Sequence, residues 1–187
     1  MQPVTGAPHS KFPSLPYRKT VRSMAESRAG GAIEFTHRRL PAPSNAPGHA
    51  MKNKPFLTLD DVKRIAAAAE AEALANHWAV CIAIVDDGGH LLWLQRLDGA
   101  APISAQIAPN KARTSALGRR ESRLYEEMIN QGRVSFLSAP GIEAMLEGGV
   151  PIVAEGQCIG AVGVSGVKST EDAQIARAGI AALGIAG

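Results

Sequence analysis

The chain has 187 residues with 20 Lys/Arg and 17 Asp/Glu, enough for one domain of ordinary size plus an appendage. Residues 1–50 hold seven Lys/Arg against two Glu, a net +5, while residues 51–187 hold 13 basic and 15 acidic side chains, a net −2. The globular part therefore lacks the gathered cations that phosphate binding needs, which excludes a nucleic-acid partner. No run approaches the roughly 18 uncharged apolar residues of a membrane span, so no membrane partner is expected.

Residues 1–50 carry seven of the 12 prolines and few large aliphatics, a composition that cannot offset the entropy of ordering. They are expected to form a disordered basic tail, or to precede the true start of translation at Met51, the reading preferred here. The first 30 residues lack the apolar stretch of a secretory signal. Cys81 and Cys158 each sit inside an apolar run and are expected to be small buried thiols in a reducing compartment, which makes the chain cytoplasmic.

The domain of residues 51–187 opens with Thr58-Leu59-Asp60-Asp61, a capping-box pattern with acids in the positive first turn. Leu59, Val62, Ala66, Ala69 and Ala73 then repeat at helical spacing to about Asn76. Ala79 to Val85 is apolar on both faces and predicts a strand covered on both sides. Asp86-Asp87-Gly88-Gly89 is a tight corner leading to a paired strand over His90 to Leu97.

Ala105 to Leu117 again has helical spacing, but Pro109 lies within it. Because an interior proline costs about 3 kcal/mol, the regular helix is expected to start near Pro109. A further helix is predicted from Glu121 to about Asn130, then a short extended piece at Val134 to Leu137. A second Gly-punctuated hairpin spans Val150 to Gly166, and Ser169-Thr170-Glu171-Asp172 caps a last helix. Strands joined by tight turns must be antiparallel, so the fold is expected to be α+β, an antiparallel sheet of about five strands flanked by helices. Gly160-x-x-Gly163-x-x-Gly166 lies within a strand and has the wrong spacing for a dinucleotide site; it is expected to let a ligand, helix or second subunit approach the sheet.

The ordered set Val85-Asp86-Asp87-Gly88-Gly89-His90, Arg96-Leu97-Asp98-Gly99-Ala100, Lys111-Ala112-Arg113-Thr114, Gly148-Gly149-Val150-Pro151, Ile159-Gly160-Ala161-Val162-Gly163 and Asp172 through Gly179 resembles the GlcG/HbpS family of haem-binding-like proteins. That family is related to the carboxy-terminal domain of some corrinoid adenosyltransferases. The resemblance covers about residues 57–184. It implies a PAS-like or profilin-like α+β fold that forms oligomers and, in some members, binds haem or a related tetrapyrrole.

Lys111, Thr114 and Ser115 are spaced to share a helical face, with Arg96 and Asp98 on the strand leading towards that helix and Arg113 beside it. Such a group suits a carboxylate-bearing ligand, Arg forking two oxygens and Lys acting as a point charge, with Trp93, Leu92 or Met145 available to cover an apolar ring. The alternative is that Asp98 simply pairs with Lys111 or Arg96. Haem also requires an axial ligand; His77 and His90 are the histidine candidates, and the resemblance adds Thr114. If the chain is instead an enzyme, Lys111 would stabilise negative charge while Asp98 or Glu155 moves a proton, as in tautomerisation or hydrolytic dehalogenation of a muconate-like dicarboxylate. A homo-oligomer is expected to complete the pocket.

Overall fold

The computed structural model describes residues 51–185, so both expectations for residues 1–50 lie outside it. Helix α1 (Leu59–Ala75) starts where predicted. The Thr58 hydroxyl accepts from the Asp61 N–H at 3.2 Å, and the Asp61 carboxylate accepts in return from the Thr58 N–H at 3.0 Å, which satisfies two orphan donors reciprocally. Strands β1 (Cys81–Asp86) and β2 (Leu91–Arg96) form the first hairpin, and β3 (Gly149–Ala154) and β4 (Gln157–Ser165) the second. All pairings are antiparallel in the order β2-β1-β4-β3.

The sheet carries helices on both faces. Ile82, Ile84, Val162 and Val164 pack against α1 and α4 (Ser169–Ala181) in the larger core. Cys81, Ala83, Val85 and Ala161 meet α2 (Ser104–Gly118) on the other face. Small residues make that second layer possible. A Cβ on Gly163 would collide with the Ala108 carbonyl, and one on Gly149 with the Lys111 carbonyl, so α2 lies against the strands at backbone distance. Of the glycines in the β4 run, Gly163 thus admits a helix, while Gly160 and Gly166 lie against the Val85 and Ala79 carbonyls. Cys81 and Cys158 are free and buried, as expected.

The structure corrects two expectations. The sheet has four strands, not about five: Val134–Ser138 is a 3-10 turn following α3 (Arg123–Asn130). Phe136 there meets Tyr125 of α3 edge to face at 5.5 Å, and the Arg133 guanidinium lies 4.6 Å over the Phe136 ring, so local aromatic packing outweighs strand pairing. The second correction concerns α2, which begins at Ser104 with Pro109 inside it. Its first turn is wound by i→i−3 bonds from Ser104, Ala105 and Gln106, and Ala105 and Ala108 pack on Cys81 and Ala83. That packing retains the turn despite the donor Pro109 lacks.

Candidate functional site

Helix α2 is the element that sorts the candidate residues, and it sends them in different directions. Lys111 turns under Gly148 to Asp172 of α4, with Nζ donating to Oδ2 at 2.8 Å. Both residues are buried, at 3% and 2% exposure. Burial pushes the Asp172 carboxyl above the usual aspartate range, although the Lys111 ammonium and the Val167 N–H pull it back. The Lys111 charge is thus neutralised inside the fold and joins α2 to α4. Its partner is Asp172, not Asp98.

Thr114 and Ser115 do not share the Lys111 contact. The Ser115 hydroxyl donates to the Arg120 carbonyl at 2.7 Å and closes the C-terminal turn of α2. The Thr114 hydroxyl donates to the Glu143 carbonyl. Arg113 Nε donates to the Gly141 carbonyl at 3.1 Å, and Asn110 Nδ2 donates to Glu143 Oε2 at 3.1 Å. Asn110, Arg113 and Thr114 therefore pin one loop, residues 141–143, against the helix.

That loop forms a wall of a cleft of about 520 Å³ whose opposite side is α3. Ile129, Leu137, Ile142, Met145 and Leu146 supply an apolar lining, and the thioether-bearing Met145 is 8% exposed. The two acids on the cleft are already engaged: Glu126 accepts from the Glu147 N–H at 2.6 Å, and Glu143 from Asn110. A volume in the usual range for small-molecule sites, an apolar lining and few polar groups suit a flat, largely apolar ligand. The residues of this cleft between α3 and Leu146 were missed by the sequence reading, apart from Met145, because the stretch has no regular periodicity.

The remaining candidates lie elsewhere. Trp93 pairs with Ile84 and packs against the α1/α4 core, which puts it on the sheet face away from α2. Arg96 and Asp98 are exposed at the far end of β2 from the hairpin corner where Arg113 reaches the Gly89 carbonyl at 3.5 Å. Glu155 has φ +51 in the turn between β3 and β4, so it and Asp98 occupy diagonally opposite corners of the sheet. Lys111, Asp98 and Glu155 do not converge on a common point. The geometry thus divides the carboxylate-binding cluster expected over positions 96–115, because helical rotation and the Asp172 pair outrank sequence proximity.

The two candidate histidines are outside the cleft. His77 has φ +57 and closes α1, its N–H donating to Leu74 O at 3.1 Å and the following Trp78 N–H to Ala73 O at 2.9 Å, a Schellman arrangement. His90 is largely exposed, with Nδ1 3.2 Å from the Asp86 carboxylate. Met145 is the soft donor on the cleft itself. No cluster of metal-ligating His, Cys, Asp and Glu occurs among the described residues, and no described helix is long and apolar enough to cross a membrane.

Residues 57–181 match the family model described as haem degrading protein HbpS-like. The chain is 56% identical to protein GlcG of Escherichia coli K12 over 115 residues, covering 62% of this chain and 85% of GlcG. The crystal structure of HbpS superposes with a TM-score of 0.66 at 32% identity, covering 74% of this chain and 97% of HbpS. The crystal structure of a PduOC:heme complex superposes with a TM-score of 0.64 at 26% identity, covering 71% of this chain and 98% of PduOC. With a four-stranded antiparallel α+β fold and a matching family model over most of its length, the chain belongs to the HbpS-like family.

Proposed function

We propose that the domain binds haem or a related tetrapyrrole in the cleft between α3 and the 137–146 segment. The observation that carries this reading is the apolar cleft of about 520 Å³ with Met145 on its wall, in a fold shared with a protein crystallised as a haem complex. Burying a porphyrin face against Ile129, Ile142 and Leu146 contributes roughly 25 cal/mol per Å² of apolar surface, which charge contacts alone would not match. The Met145 sulfur is a ligand type that haem iron accepts. Bound haem supplies an iron centre able to exchange electrons or ligands.

The chain's own residues set the rest. Asn110, Arg113 and Thr114 hold the cleft wall in place. The two free buried thiols suit a reducing, cytoplasmic setting, and the exposed leucines of β2 support association of copies into a homo-oligomer. Titration of the purified protein with haemin should give a saturable Soret shift. The Met145→Ala variant should bind haemin with an altered spectrum, and a wild-type protein that gives no saturable shift would remove the haem reading.

A further inference from the structure

The two edges of the sheet are finished differently. On β3 the outward backbone groups are occupied: the Ser122 N–H donates to Gly149 O at 3.0 Å, and the Gly149 N–H donates to Ser122 Oγ at 2.8 Å. The next outward residue is Pro151, which has no N–H. On β2 the Leu97 N–H points inward to Val80 O at 2.9 Å, so strand alternation turns the N–H and C=O of Leu94 and Arg96 outward. No loop or side chain among the described residues bonds to them.

The side chains along that edge are apolar and uncovered. Leu91 is 52%, Leu92 40% and Leu94 45% exposed, because α2 packs mainly across β1, β4 and β3. Exposed edges are usually blunted by Lys, Pro or a bulge. Here Leu92 is the unpaired, bulged residue, near the hairpin corner, and Trp93 to Arg96 remains regular with its one charge at the end.

We propose that this edge pairs with β2 of a second copy, antiparallel about a two-fold axis through Leu94; the proposal rests on the reading that copies associate. A strand edge turned upon itself is self-complementary under that symmetry. With Leu94 opposite the partner's Leu94, the two residues exchange both outward hydrogen bonds, and Arg96 stands opposite the partner's Leu92. Arg96, the one charge on the strand, stands away from the axis, so no like charges face each other across it. The outcome is one continuous sheet running through both copies.

Size-exclusion chromatography with light scattering on the full chain tests this. Leu94→Pro deletes an outward N–H and leaves the β1 ladder intact, and Leu94→Arg places like charges across the axis. The wild type should elute as an assembly and both variants at half its mass, with far-UV circular dichroism unchanged. In parallel, Leu94→Cys should cross-link under mild oxidation to a doubled mass on a non-reducing gel, since directly opposed hydrogen-bonded residues lie about 5.5 Å apart between Cα atoms. Leu74→Cys on α1 should not. Variants that keep the wild-type mass, or a Leu94→Cys chain that does not cross-link, overturn this interface while leaving association standing; a monomeric wild type overturns both.

Discussion

At the residue scale, the Lys111–Asp172 pair is the one ion pair among the described residues with both side chains buried. It is fully enclosed and ties the helix on one face of the sheet to a helix on the other. Replacing one member strands a buried charge, so Lys111→Met should cost about 3–5 kcal/mol in urea unfolding, while the double variant Lys111→Met/Asp172→Leu should recover most of that loss. The pH dependence follows from the raised Asp172 carboxyl. In the folded state it holds its proton to higher pH than in the unfolded chain, so stability falls as pH rises from about 4, the ordinary aspartate value, towards the raised value. Asp172→Asn should flatten that slope, and an unchanged slope would point to another group. The sequence displayed both residues but not their pairing, since 61 positions separate them and helical spacing reports only local neighbours.

At the element scale, the capping box of α1 was legible because Thr58 and Asp61 act through hydrogen bonds three residues apart. Thr58→Ala should lower stability by about 1 kcal/mol. The Thr58 hydroxyl and N–H hold the Asp61 carboxyl below the usual range, so its contribution is complete above about pH 4 and is lost as pH falls through the lowered folded value. This window lies below that of Asp172, and acid titration of Thr58→Ala should show a shallower loss there. Hairpins were equally readable from their Asp-Gly and Glu-Gly corners. The Val134–Ser138 segment was not, because its conformation depends on Tyr125 and Arg133 contacts that no short-range pattern encodes. Pro109 misled for a related reason: propensity argues for a helix start, and packing on Cys81 and Ala83 overrides it.

At the scale of the whole molecule, the sheet separates the candidate residues into two populations. Trp93 belongs to the α1/α4 side, and the cleft belongs to α3 and the segment before β3, which α2 holds in place. The fold class was legible from turn chemistry and motif order, whereas the ligand wall was not, being built from irregular chain held by Asn110, Arg113 and Thr114. The central claim is that this cleft is where a tetrapyrrole sits, and the most direct measurement is the haemin affinity of variants that alter one side of the sheet at a time. Ile142→Trp, which fills the cleft, should weaken binding at least about tenfold, a change of about 1.4 kcal/mol, while Trp93→Ala on the opposite face should leave it within about twofold. Equal affinity in wild type and Ile142→Trp would contradict the account.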